Sequence, residues 1–269
     1  MPILVNGRED GRLDPGDRGL QYGDGLFETM SVRDGHARFV GWHLERLVEG
    51  ARRLALPLPD PARLQDEIAR AWPVGRGVVK VVWTRGVGDR GYRPPADPEP
   101  TCIVAGHEWP AWQPAVWSEG VCLRYCRTRL ARNPLLAGIK HLNRLEQVLA
   151  RAEWDDEQIA EGLMLDNLGH VISGTRSNLF AVIAGQLVTP PVDQCGVAGI
   201  MRRAVCAWAR DHASPVVERV VRPDELDDAS ELMVTNALIG AWPVRELAGR
   251  RIPVGPLAAR FNAWVEAFA

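Results

Sequence analysis

Hydrophobic residues recur along this chain with two periods. In the order LFETMSV, alternation places Phe27, Thr29 and Ser31 on one face of a strand and Glu28, Met30 and Val32 on the other. The RDGH at 33–36 reads as a hairpin turn, as Asn6-Gly7 does after the apolar ILV at 3–5. Further strands are predicted at 77–84, 101–106, 121–126, 162–166, 178–183, 187–189, 216–221 and 231–237. Helical spacing takes over at 41–56, where Leu44, Leu47, Val48, Ala51 and Leu54 form an inward stripe. A second helix opens at Asp60-Pro61, an N-cap followed by a residue suited to the first turn. Others are predicted at 144–154, with Asn143 and Glu146 as a capping box, at 199–212 after a glycine, and at 257–268.

Residues 108–118, with two prolines and three tryptophans, read as a connection. The pattern therefore predicts an α+β protein of two domains, 1–107 and 119–269, each a mostly antiparallel sheet flanked by helices. Composition narrows the possible partners. A formal charge of -2 gives no footprint for nucleic acid or an anionic membrane. No apolar run is long enough to span a bilayer, and MPILVNGRED lacks the layout of a signal peptide. Five scattered cysteines suit free thiols in a reducing cytoplasm. Cys122 and Cys126 share a strand face, but no second Cys/His pair completes a metal site. The glycines Gly86, Gly88 and Gly91 spell GxGxxG after a strand. Tyr92, Arg93, Pro94 and Pro95 follow, and they cannot open the helix that a dinucleotide site needs.

Only two of the 32 Lys and Arg residues are lysines, Lys80 and Lys140. A chain that uses arginine for its generic cations makes each lysine a candidate for what arginine cannot do. An ε-amine can lose its proton and attack a carbonyl, whereas a guanidinium stays protonated. Lys80 alternates with valines and reads as a strand-face residue. Lys140 lies in a short apolar segment just before a helix. A lysine joined to a carbonyl cofactor is most often paired with a phosphate anchor. Three parts could serve: Gly199-Ile200-Met201 at a helix N-terminus, the strand-end turn Thr235-Asn236-Ala237, and Arg46 on the inward edge of a helix. Taken singly, each also reads as a helix start, a turn former and a surface arginine.

Seven segments together resemble the fold-type IV pyridoxal-phosphate enzymes, the D-amino acid aminotransferase-like fold. They are DRGLQYGDGLFET at 17–29, HLERL at 43–47, RGVGDRGY at 85–92, NPLLAGIKHLNRLEQVLAR at 133–151, GTRSNLF at 174–180, GVAGIMR at 196–202 and TNALIGAWPV at 235–244. The resemblance implies pyridoxal 5'-phosphate carried by Lys140. It further implies a phosphate held by Arg46, by the backbone of Ile200, Met201 and Ala237, and by the Asn236 side chain. Arg90 and Tyr92 match the loop that takes a substrate carboxylate, and the family is homodimeric, with that loop reaching the neighbouring site.

AGIKHLNRLEQ, the RGY after the glycine loop, and NAL where aminotransferases have small hydroxyl residues are most similar to the aminodeoxychorismate lyases of this family. Those enzymes convert the small molecule 4-amino-4-deoxychorismate into 4-aminobenzoate and pyruvate. Two departures bear on the choice. Ser173 stands where most members have a glutamate facing the pyridine nitrogen, and Phe27 replaces a tyrosine of the D-amino acid enzymes. A serine makes the ring a weaker electron sink, which hinders transamination more than an elimination driven by aromatisation. Both departures favour a lyase, with Thr29 or Tyr92 as the donor that reprotonates enolpyruvate. The alternative is a D-amino acid or branched-chain aminotransferase.

Overall fold

The computed structural model describes residues 2–212 and 214–267. The chain divides into two compact units, Met1–Pro110 with Ile139–Asn143, and Ala111–Gly138 with Arg144–Ala269.

The first unit runs β1 (Ile3–Val5), α1 (Arg18–Tyr22), β2 (Gly25–Arg33), β3 (His36–Ala37), α2 (Val40–Arg53), α3 (Pro61–Ala71), β4 (Arg76–Thr84) and β5 (Thr101–Glu108). Its five strands lie in the order β1-β5-β4-β2-β3, every pairing antiparallel. The turns Asn6-Gly7 and Asp34-Gly35 carry positive φ at both positions, the conformation a two-residue hairpin loop demands. Alternation on β2 and β4 sends Leu26, Met30, Val32, Val79, Val81 and Trp83 to one face, where the stripes of α2 and α3 cover them. Asp60 caps α3 as predicted, its side chain accepting from the N–H of Ala62.

The lysine segment is positioned by this sheet. Phe27 N donates to Lys140 O at 3.0 Å, Leu142 N donates to Gly25 O at 3.0 Å, and Ile139 is 3% exposed in the core beside Leu26. These contacts place 139–143 in the first unit, whereas the sequence pattern assigned Lys140 to the domain 119–269. The correction has a plain cause: an edge of β2 supplies long-range backbone partners that no local pattern reveals.

The second unit comprises α4 (Ala115–Ser118), β6 (Val121–Leu130), α5 (Leu145–Arg151), β7 (Ile159–Asp166), β8 (Val171–Gly174), β9 (Asn178–Ile183), β10 (Gln186–Thr189), α6 (Ile200–Asp211), β11 (Val217–Glu218), a 3-10 turn (Pro223–Asp228), β12 (Glu231–Asn236), β13 (Gly240–Leu247), β14 (Arg250–Arg251) and α7 (Leu257–Ala267). Its sheet runs β11-β10-β9-β12-β13-β6-β7-β8, with β14 beside β13. The β10–β11, β13–β6 and β6–β7 pairs are parallel and the others antiparallel.

Several predicted boundaries move. The strand at 216–221 shrinks to β11, β8 and β13 were not predicted, and Phe268 lies outside the described residues. Pro243 within β13 disguises it as a non-strand segment. The capping box before α5 does not form. Asn143 Nδ2 donates to Gly23 O, Glu146 Oε1 accepts from Ala131 N, and Arg144 occupies the cap position without capping the helix through its side chain. Both polar side chains find longer-range partners instead.

Candidate active site

Strand β2 carries opposite chemistry on its two faces. Glu28 occupies a core position between Leu26 and Met30 and is 1% exposed. Helix α2 supplies its partners, because His43 and Arg46 are three residues apart and share a helix face. Arg46 grips the carboxylate with two bonds, Nε to Oε1 at 2.8 Å and Nη2 to Oε2 at 2.5 Å. His43 Nδ1 lies 2.6 Å from Oε2, and an ionised carboxylate can only accept, so Nδ1 carries the proton. Burial works against the charge on Glu28, but the Arg46 charge and the His43 hydrogen bond outweigh it and bring its pKa down to about 2. His43 moves below its ordinary value, chiefly through burial, with the charges of Arg46 and Lys140 acting in the same direction.

On the opposite face stand Phe27 and Thr29. Lys140 Nζ lies 4.1 Å from the centroid of the Phe27 ring, and Lys80 Nζ lies 5.3 Å from it. Thr29 is the register partner of Lys80. Both lysines of the chain therefore flank one aromatic ring, and strand parity places Thr29 on their face. They are not equivalent. Lys80 is exposed on β4, whereas Lys140 is part-buried on a segment bonded to β2. Partial burial disfavours the charged form of an amine, which makes Lys140 the better candidate nucleophile of the two.

Arg90 and Tyr92 lie in the loop 85–100, exposed, with Tyr92 at 85%. This loop joins two antiparallel neighbours, β4 and β5, and no helix follows Gly91. Gly86 has φ +84 and a Cβ there would come 1.7 Å from Glu99 O, so this glycine serves a tight crossing within the loop.

The second unit holds the other predicted residues. Gly199 caps α6 with extended backbone and no side-chain cap, and Ile200 and Met201 open the helix, both buried. The first N–H groups of a helix have no intrahelical acceptor, so this end can bind an anion. Asn178 packs against it closely enough that a Cβ on Gly199 would come 2.0 Å from Asn178 Oδ1. Across the sheet Asn178 pairs with Thr235, whose hydroxyl is buried without a hydrogen-bond partner. Asn236 Oδ1 accepts from Leu238 N and Ile239 N at 2.9 and 3.1 Å, so the side chain also shapes the turn, and only its Nδ2 end can donate to a ligand. An uncapped helix start and an orphaned hydroxyl fit a phosphate group. Ser173, on β8, is 8% exposed and donates from Oγ to Gly174 O at 2.9 Å.

Sequence reasoning singled out Lys140, Arg46 and the glycine-led helix as candidates and passed over Glu28 and His43. The signal was present, as an acid at the core position of an otherwise apolar strand face and a histidine at i, i+3 from the arginine.

The family model for Amino-transferase class IV matches residues 25–247, spanning both units. The chain belongs to the class IV aminotransferase family. Among curated proteins, an aminodeoxychorismate lyase of Vibrio harveyi is 36% identical, over 96% of this chain and 97% of its own length. A putative branched-chain-amino-acid aminotransferase of Methanocaldococcus jannaschii is 32% identical, over 94% and 90%. Among solved structures, the 4-amino-4-deoxychorismate lyase of Pseudomonas aeruginosa superposes with a TM-score of 0.94, at 48% identity and 98% coverage of both chains. The fold is thus that of the class IV enzymes.

Proposed function

We propose that this chain is a pyridoxal-phosphate-dependent lyase that converts 4-amino-4-deoxychorismate into 4-aminobenzoate and pyruvate, a step toward folate. The observation that carries the reading is the likeness to the Pseudomonas aeruginosa lyase, at 48% identity over nearly the whole chain, with Lys140 held above Phe27.

Bound pyridoxal phosphate supplies an electron sink at the carbon bearing the substrate amine. Lys140 would hold the cofactor, and its Nζ is the general base that takes the proton from that carbon. The substrate then loses its enolpyruvyl group and is left aromatic. Thr29 or Tyr92 returns a proton to enolpyruvate, giving pyruvate. Arg46, oriented by Glu28, supplies positive charge for the phosphate. The N–H groups of Ile200, Met201 and Ala237 and the Asn236 amide supply hydrogen bonds to it. Arg90 and Tyr92 receive a substrate carboxylate. Ser173 would stand near the pyridine nitrogen and, being no carboxylate, would not hold a proton there.

The reading includes a homodimer with the active site at the subunit interface. Leu145, Val148 and Leu149 on α5 are 75%, 60% and 61% exposed and Leu135 is 81% exposed, an apolar surface that a second copy would cover. It also places the protein in the cytoplasm, in keeping with five free cysteines.

The similarity to the Methanocaldococcus jannaschii protein keeps an aminotransferase as the second reading. One experiment separates them. The purified protein is charged with the cofactor, its visible spectrum is read with and without borohydride, and aminodeoxychorismate is added. Reducible yellow colour, with 4-aminobenzoate and pyruvate formed together and no keto acid required, is the expected result. Bleaching by an amino acid and recovery with a keto acid would establish the aminotransferase instead.

A further inference from the structure

A buried cluster around Arg18 and Asp24 ties residues 18–24 to the 85–100 loop. Arg18, on α1, is 3% exposed. Its Nε donates to Asp24 Oδ2 at 2.9 Å, Nη2 donates to Tyr92 O at 3.0 Å, and Nη1 donates to Gly91 O at 2.9 Å and Arg93 O at 3.4 Å. Three consecutive loop carbonyls therefore converge on one guanidinium. The Tyr22 ring lies 4.9 Å from Arg18 Cζ, its hydroxyl accepts from Gly91 N at 3.3 Å, and its edge meets Tyr92 at 5.5 Å between centroids.

The root of the loop is fixed by the same acid. Arg85, 6% exposed, donates from Nε and Nη2 to Asp24 at 2.7 and 3.1 Å, and to Ala55 O and Leu54 O at 2.7 and 2.9 Å. Burial opposes the charge on Asp24, but the hydrogen bonds from Arg85 and Arg18 outweigh it and keep its carboxyl below the usual range. Gly88 leaves room for the arrangement, since a Cβ there would come 2.8 Å from Arg18 Cδ.

Burying a guanidinium is costly unless its donors are met, and here the partners are mainly backbone carbonyls of one surface loop. That loop exposes the side chains of Arg90 and Tyr92 while its carbonyls are tied inward. A planar fork with five N–H groups can hold three carbonyls and a carboxylate at once, which an ammonium cannot.

We propose that Arg18 is a positioning residue that fixes the backbone around Gly91–Arg93, and with it the placement of Arg90 and Tyr92 toward the substrate. The role in substrate placement rests on the reading above, in which those two side chains receive a carboxylate. Arg18 touches no reacting atom. It acts by holding the loop in one conformation before substrate arrives, so that the ordering is not charged against binding.

The test compares the holoenzyme with its Arg18→Lys, Arg18→Met and Tyr22→Phe variants by amide hydrogen exchange across residues 86–94 and by steady-state kinetics. Exchange in the loop is expected to quicken about tenfold or more in both Arg18 variants, with the β-sheets as protected as in the parent. KM for aminodeoxychorismate should rise about tenfold, with any fall in kcat smaller than that, and lysine should not rescue. Tyr22→Phe should move both readouts the same way by less, and it decides the matter if the Arg18 variants do not fold.

Unchanged loop exchange would overturn the proposal, and so would faster exchange with an unchanged KM. Failure of the functional reading looks different: the parent enzyme itself would make no 4-aminobenzoate, and loop exchange in the same proteins would still decide whether Arg18 holds the loop.

Discussion

Two glutamates, one in each unit, are almost equally buried and are neutralised in opposite ways. Glu28 is 1% exposed and meets two basic side chains from α2, Arg46 through two bonds and His43 through one. Glu161 is 2% exposed and meets neutral donors: the N–H groups of Gly162, Thr175 and Arg176 and the hydroxyls of Thr175 and Ser177, at 2.5 to 3.3 Å. The cation beside it, Arg176, is 56% exposed and 4.0 Å away. In the second unit the stretch after β8 folds around a carboxylate, and dipoles suffice to hold it. In the first, a carboxylate and an arginine fix each other, leaving a cation aligned on a helix face. The difference teaches where to look for function. A buried acid satisfied by backbone amides fastens a loop, whereas one that orients an arginine belongs to a site that handles charge.

The largest effect should come from the amine on the opposite face of β2. Lys140→Ala is expected to lower kcat by about 10³-fold or more and to abolish borohydride-reducible colour. Lys80→Arg, beside the same Phe27 ring, should leave both close to the parent. Equal losses from the two lysines would erase the distinction drawn from their backbone setting.

Next comes the acid that holds Arg46. Removing one partner of a buried ion pair strands the other, so Glu28→Gln should cost about 3–5 kcal/mol in urea unfolding and weaken cofactor retention. Glu161→Gln loses acceptors from neutral donors only and should cost about 1–3 kcal/mol, leaving the visible spectrum unchanged. If the two variants proved equally destabilised and equally coloured, the contrast between the units would carry no functional meaning.

The smallest readout is the dependence on pH. The folded pKa of Glu28 lies below its ordinary value of 4.5, at about 2. Its stabilisation is therefore fully present above about pH 4.5 and is lost as pH falls toward 2. His43 is also lowered from its ordinary 6.5, so the unfolded chain takes up a proton that the folded chain refuses, and stability declines as pH drops below 6.5. Both groups push the same way. Unfolding free energy measured against pH should begin to fall just below pH 6.5, and His43→Gln should flatten that first part of the decline.

Much of the first unit was legible because its local signals agree. The β2 alternation, the α2 stripe and the Asp60-Pro61 helix start all specify the observed elements. The lysine stood out by rarity, and the glycine before α6 by its place ahead of an amphipathic run. The capping box at Asn143 and Glu146 misled because both side chains bond residues far away in sequence, at Gly23 and Ala131. Pro243 concealed β13, even though β12 precedes it across a short turn, and its other partner, β6, lies far back in the chain.

By itself, then, the sequence determined the α+β class, the order of most elements and the family, and it singled out one lysine, one helix-borne arginine and one helix start as candidates. These are matters of period, residue type and local motif, which neighbouring residues specify. Only the tertiary structure decided that 139–143 lies along β2, that both lysines flank Phe27, that Glu28 and His43 engage Arg46, and that Arg18 reaches across to Gly91, Tyr92 and Arg93. Each of these is a contact between residues distant in the chain. Such contacts are set by strand register and by the satisfaction of buried charge, quantities that exist only once the chain has closed on itself.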